Sequence, residues 1–512
     1  MENDGPLMVV HCSEGKGVKM NLLTLLWMPL PALAGTLLTY EEALEGAVGN
    51  NPTLQQSRFF EAQAKNDWVG SRGAFDPSFE LSGAYAKSTN RGFFQGFPFD
   101  SESTNFNWEG GFNGTAPTGT TWSVSGGLNR NLSTFTTLFG GFENEQTQDT
   151  FSGSMNGSVT QQLLKGLRLA YNMQNVTVAH NGWQNAQLST SQSHQETLAS
   201  AASAYWGWVY ATEQLQISRD SVAVAEEALR VGGLKVEAGE LAPVEKTRLE
   251  AAKVQAQATE LTAKNQELES RNALLLLMGR SPGQDMEPAT PVGTVVDLPI
   301  EAARAVQVAM EQNLQVLLAR QTVDQSEELW INARHGMLPS LSATLSAGTS
   351  SQVELTDDQG NEIEGVKGSS ALSEMLNEPL PTMSIGGLFT VPIGNRSARS
   401  ARVNAEIEWE KKQLELQETE RSVQSQVEQQ VAILASARQT VDLADLNLRL
   451  SEEMLSAEEA LVDAGRSIQK DVLEARNEVA RSRAEAIKAR TDYRLAQVEL
   501  LRLQGQLTVE IP

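Results

Sequence analysis

Residues 236 to 240 read VEAGE and residues 462 to 466 read VDAGR; at the same offset of 226, Leu274, Leu275, Leu277 and Gly279 meet Leu500, Leu501, Leu503 and Gly505. At an offset of 262, Ala43, Ala47, Asn51, Trp68, Arg72, Pro77 and Ser78 meet Ala305, Ala309, Asn313, Trp330, Arg334, Pro339 and Ser340. The chain is therefore one module written twice. Each copy far exceeds the roughly 20 to 50 residues of a solenoid unit, so whatever it folds into must be built from two large, similar halves. The change of offset places an insertion between Ser78 and Val236.

Two periodicities run through both halves. Residues 395 to 464 hold no Gly and no Pro, and Val427, Leu434, Val441, Leu448, Leu455 and Val462 recur every seven positions with Ala437 and Ala444 between them. That is a coiled-coil seam. At 1.5 Å per residue the run would extend about 105 Å, a rod rather than a globular helix. A comparable stretch runs from about Leu167 to Arg230, interrupted only by Gly182 and Gly207. Each long helix meets a glycine turn and then a shorter return helix, 243–278 and 469–505, with Pro243 suited to a first helical turn. The repeated turn is thus the tip of a helical hairpin.

The second period is two. Phe79, Leu81, Gly83 and Tyr85 alternate with Glu80, Ser82, Ala84 and Ala86, and Phe106, Trp108, Gly110 and Phe112 alternate with polar and small residues. Similar alternation occurs at 121–132, 150–161, 339–348 and 382–392. Apolar side chains on one face and small polar ones on the other are the pattern of an outer-membrane barrel. Residues 87 to 104, with Phe93, Phe94, Phe97 and Phe99, and 133 to 149 read as long polar linkers, and TAPTGT at 115 to 120 as a short turn. Four to six strands cannot close a barrel, and an open edge in lipid leaves backbone groups unsatisfied, so several protomers must share one.

The expected organisation is a signal peptide at 1–34, a first repeat at 35–290 and a second at 291–512. Helices are expected at 41–73, 166–235, 299–336 and 396–463 and strands at 76–88 and 104–113, besides the segments already named. Lys16 and Lys19 precede an apolar stretch that ends in Ala32-Leu33-Ala34, a secretory leader pattern. Glu2 and Asp4 suit such a leader poorly, which places the translation start near Val18 or Met20. The single cysteine, Cys12, falls in the leader. With 64 acidic against 40 basic residues and a net charge of −24, nucleic acid is an unsuitable partner.

In order and spacing these segments resemble the TolC-like outer-membrane efflux proteins. The resemblance rests on RGAFDPSFELSGAY at 72–85, SVTQQLLKG at 158–166, VEAGELAPVE at 236–245, LLLLMGR at 274–280, GLFTVPIGNRSARSA at 387–401 and AGRSIQKDVLEAR at 464–476. It implies an α+β fold of long antiparallel coiled-coil helices and barrel strands. It further implies a homotrimer with a shared barrel, ordinarily twelve-stranded, standing on a periplasmic α-barrel gated at its far end. The partners implied are a periplasmic adaptor and an inner-membrane pump, in tripartite efflux or type I secretion. By position, adaptor docking would fall on Val236, Gly239, Leu241 and Glu245 in one half and Val462, Gly465, Ile468 and Asp471 in the other. Four strands in the first half, against two in the family, leave the barrel's strand number open. The rival reading is a secreted coiled-coil scaffold or trimeric surface adhesin.

No catalytic, metal or cofactor constellation is recognisable. His180, His194 and His335 read as surface residues. Asp442, Asp445, Glu452, Glu453, Glu458, Glu459 and Asp463 crowd the approach to the second tip and read mostly as solvated helix surface.

Overall fold

The computed structural model describes residues 36–94, 96–139, 142–240, 242–293, 301–357, 361–378, 380–464, 466 and 469–509. The expected leader, with Cys12 and the Ala32-Leu33-Ala34 site, lies outside them. The helices are α1 (Tyr40–Asn50), α2 (Pro52–Ser71), α3 (Leu169–Asn172), α4 (Gln174–Glu237), α5 (Pro243–Leu277), α6 (Ala302–Gln312), α7 (Leu314–His335), α8 (Gly368–Asn377), α9 (Arg396–Asp463) and α10 (Gln469–Leu503). The strands are β1 (Thr36–Leu38), β2 (Ser78–Phe94), β3 (Phe97–Thr115), β4 (Thr120–Phe139), β5 (Phe142–Gln162), β6 (Met286–Pro288), β7 (Ser340–Glu354) and β8 (Leu380–Thr390).

The helices form a wall one layer thick. Next to the sheet the neighbours run α2, α4, α7, α9; away from it they run α5, α4, α10, α9. Helices α4 and α9 span both levels, whereas α2 and α5, and likewise α7 and α10, stack end to end. The joints explain the repeated residues. Asn51 caps α2 by accepting from the Thr53 and Leu54 amides at 2.9 and 3.2 Å, while its amide donates to Leu277 O at 3.2 Å, satisfying an orphan carbonyl at the end of α5. Asn313 repeats this on Gln315 and Val316, and donates to Leu503 O at 2.8 Å. Gly279 and Gly505, at φ +66° and +70°, turn the chain out of the shorter helices and lie against the Asn50 and Gln312 carbonyls. A duplicated helix break is thus closed by a duplicated glycine turn.

The buried core sits at this waist. Leu44, Leu198, Trp208, Leu274 and Met278 pack together, and Tyr205 Oη bridges Leu38 O and the Thr290 amide, both at 3.1 Å. Strand β1 pairs in parallel with β6, tying the start of the described chain to the segment between the repeats. Tyr40 stacks on Trp206 with ring centroids 5.2 Å apart, and burial pushes its phenol up to about 12. The unfolded phenol ionises near 10, so between about 10 and 12 the unfolded chain loses a proton that the native chain keeps. Stability should therefore fall as pH rises through that window. Burial raises the Tyr205 phenol as well, so an ultraviolet titration should find the tyrosinates of Tyr40 and Tyr205 forming after the others; their appearance with the others near 10 would contradict the burial.

All six alternating segments lie in one antiparallel sheet, ordered β2-β3-β4-β5-β7-β8. Most of the described residues in the supposed polar linkers at 87–104 and 133–149 are strand, not loop. Strands β2 and β3 stay paired to Phe94↔Phe97, and β4 and β5 to Phe139↔Phe142. A ladder needs only backbone groups, so strands continue past the point where apolar alternation ends. Phe93, Phe97 and Phe99 are accordingly strand residues, Phe99 stacking on Phe135 at 4.9 Å. The β3–β4 turn is short, with Gly119 at φ +78°, and Asn172 donates to Pro117 O and Gly166 O at 3.0 and 2.7 Å. This hairpin is the insertion signalled by the change of offset.

Candidate functional site

Sheet and wall each have two free edges, and the edges coincide. Strand β2 follows α2 and β8 leads into α9, so α2 and α5 with β2 bound one side and α9 with β8 the other. Both sides carry exposed apolar side chains. Val254, Leu261 and Leu268 recur every seven residues on α5, the first two 64% and 62% exposed. Phe59 and Phe60 extend this edge on α2. On α9 the exposed apolar side chains include Ile407, Leu414, Leu443, Leu450 and Met454, with Leu443 67% exposed. The seam facing the chain's own helices is different: Val427, Leu434 and Val441 are buried, whereas Leu448, Leu455 and Val462 toward the tip are half-buried. A second helix face is therefore left over at each edge.

The two sheet faces are chemically opposite. On one, the register aligns Phe79, Phe112 and Val124, and nearby Tyr85, Trp108, Met155, Leu345, Ile385 and Phe389, all exposed. The other carries a polar rung across all six strands. Ser78 donates to Asn113 Oδ1 at 2.6 Å, the Ser123 and Ser158 hydroxyls lie 2.8 Å apart, and those of Ser346 and Ser384 2.6 Å apart. The apolar segments are about nine residues long, about 23 Å of height at a 40° tilt. Toward the far end of the apolar face, Lys87 pairs with Glu102, and Arg130 with Asp149 at 2.6 Å. Charge there marks where the greasy band stops.

Both hairpin tips close in the same way. At the first, Ala238 N donates to Leu234 O and Glu240 N to Lys235 O; at the second, Ala464 N donates to Ala460 O and Arg466 N to Leu461 O. These bonds satisfy the last carbonyls of a long helix. Gly239 takes φ +82° and has nothing within 4 Å of a built Cβ, so its role here is conformational. Val236 and Val462 sit half-buried in the final turns of α4 and α9, and Glu245 pairs with Arg248 at 2.7 Å. Asp471 lies in the first turn of α10. Leu241, Gly465 and Ile468 lie outside the described residues. The Lys470 ammonium is held above its ordinary range by its bond to Glu474, and repulsion from Arg248 of the first tip opposes this, so the two tips are electrostatic neighbours.

Of the crowded carboxylates, Asp442 pairs with Arg438 on its own helix. Asp445 and Glu459 reach across to Arg490 and Arg476 of α10, each at 2.8 Å. They lock the hairpin as well as solvating it. The histidines are more buried than surface residues. His180 packs on Trp68 at 4.8 Å, His335 packs on Tyr171 at 5.4 Å, and burial lowers the His194 pKa, with Arg58 adding to the effect. Among the described residues, no group of three or more His, Cys, Asp or Glu side chains could hold a metal. Sequence reading also missed a matched pair of indole stacks, Trp68 on Trp183 at 5.1 Å and Trp330 on Trp409 at 5.0 Å. Trp183 and Trp409 are separated by the same 226 positions as the tips, a signal that was present in the chain.

A family model described as outer membrane efflux protein matches residues 121–280 and 305–506, well over half the chain. Among solved structures, the CmeC outer membrane channel of Campylobacter jejuni is 15% identical, with a TM-score of 0.63 over 92% of this chain and 87% of that one. The MtrE outer membrane channel of Neisseria gonorrhoeae in its open state is 16% identical, with a TM-score of 0.62 over 91% of this chain and 88% of that one. The outer membrane protein VceC of Vibrio cholerae is 13% identical, with a TM-score of 0.61 over 91% of this chain and 96% of that one. No curated protein matches in sequence.

Proposed function

Since the chain belongs to the outer membrane efflux protein family, we propose that three copies join edge to edge into one conduit across the outer membrane and the periplasm. The observation that carries this reading is the single-layer wall with two apolar, unpartnered edges on opposite sides. Such edges make a head-to-tail contact, which generates a ring when the rotation closes. A closed ring also removes the open strand edges, which lipid does not tolerate.

Three six-stranded sheets give eighteen strands, not the twelve usual in the family. Barrel diameter grows roughly linearly with strand number, so the mouth is about 1.5-fold wider than a twelve-stranded one. The apolar face meets lipid, and the hydroxyl rungs line water. Four helices at each level give twelve in the periplasmic tube.

The conduit is passive and works with a periplasmic adaptor and an inner-membrane pump, in tripartite efflux or type I secretion. Docking is assigned to the matched tips: Val236, Gly239, Leu241 and Glu245, with Val462, Gly465, Ile468 and Asp471. Their support is the identical closure of two tips in neighbouring positions, which would present a near-repeating surface around the ring. Against the secreted scaffold or adhesin stands the exposure of Phe79, Trp108, Ile385 and other side chains of the sheet's apolar face. Fractionation tests the proposal. The protein should sediment with outer membranes and run as a heat-dissociable trimer; a soluble monomer in the periplasm or medium would overturn it.

A further inference from the structure

Next to its charged end, the apolar face of the sheet carries an uncharged polar patch. On β7, Thr349 and Ser351 share that face with Val353 and Leu345, and Gly153 of β5 lies opposite Ser351 with no side chain to shield it. Helix α8, in the connection between β7 and β8, covers this patch. Ser351 Oγ donates to Ala371 O at 2.5 Å, and Met375 Sδ would stand 3.8 Å from a Cβ at Gly153. Ala371 and Met375 are buried, four residues apart on one side of the helix.

The remaining sides differ sharply. Leu372 and Leu376 project about 100° further round. Leu376 is 70% exposed, and Leu372 lines an apolar groove of about 360 Å³ with Phe79, Phe112, Val124 and Met155. Those four residues lie toward the helical end of the sheet relative to Ser351, so the leucine side points along the greasy band. Ser370, Ser373, Glu374 and Asn377 occupy the side facing away from the leucines. One side thus meets the sheet, one is apolar and one is polar.

We infer that α8 is an interfacial helix lying along the barrel wall in the outer leaflet, its leucines and the groove beside them in contact with lipid acyl chains. A helix with separate apolar and polar sides settles in the interface plane. Continuity with the lipid-facing band identifies the occupant: Leu372 and Leu376 extend the surface made by Phe112, Val124 and Met155. This rests on the barrel reading above, which puts that face in lipid.

Spin labels on single cysteines at Leu376, Glu374 and Ile385, in a Cys12→Ser background and reconstituted in phospholipid vesicles, separate the two. Collision rates with oxygen, which partitions into lipid, and with a neutral nickel chelate, which stays in water, are compared at each site. Labels at 376 and 385 should both favour oxygen, and the label at 374 should favour nickel. If 376 favours nickel while 385 favours oxygen, α8 lies in water and the inference fails with the barrel intact. If 385 itself favours nickel, the barrel reading falls and takes the inference with it.

Discussion

Aspartate at both Val254 and Leu261 leaves a chain that folds but does not assemble. In one copy these side chains are mostly exposed, so far-UV circular dichroism should keep the wild-type helical signal. In the ring each aspartate would be buried against the next protomer's α9, and a buried unpaired charge costs about 3–5 kcal/mol. Three interfaces carry the change at once. Light scattering of the detergent-solubilised protein should therefore give the mass of one chain where the parent gives three. A trimer of undiminished heat resistance would mean that the seven-residue stripe on α5 faces something other than a neighbouring copy, and the edge-to-edge ring would have to be abandoned.

Gly505→Ala is the second large effect, with Gly239→Ala as its internal reference. Both glycines take a positive φ, which costs alanine roughly 1–2 kcal/mol. Gly239 has open space where the methyl would go, so that cost is the whole penalty. At Gly505 the new Cβ would stand 2.5 Å from Gln312 O and 3.1 Å from its carbonyl carbon. Those atoms belong to the backbone that carries the Asn313 cap, so relief means shifting the joint between α7 and α10. Overpacking of this kind adds roughly 1–3 kcal/mol. The melting temperature should drop clearly further for Gly505→Ala than for Gly239→Ala. Equal drops would show that the joint yields freely and that the close approach carries no constraint.

Several features of the fold were legible in the residues. The two offsets exposed the duplication, because side chains that serve matched joints keep matched spacing: Asn51 with Asn313, Gly279 with Gly505. Helix and strand type followed from periods of seven and two, which report which side of an element meets its neighbours. The identity of the sheet's apolar face followed for the same reason. The ends of β2 to β5 were not legible, because polar residues keep a ladder as well as apolar ones do once their neighbours are in place. The histidines were misplaced because nothing local signals that an aromatic side chain from another helix will cover them.

By itself, then, the chain determined what each segment is and which of its faces avoids water, since both are written in nearest-neighbour spacing. The tertiary structure alone decided how many strands share one sheet, which edges stay open, and how closely Gly505 meets Gln312 O. Those depend on residues far apart in sequence: pairing of β5 with β7 joins Thr150 to Glu354, and no periodicity within either strand can name its partner. The physical reason is that side-chain spacing specifies a surface, while the partner is fixed only when distant surfaces compete to bury one another.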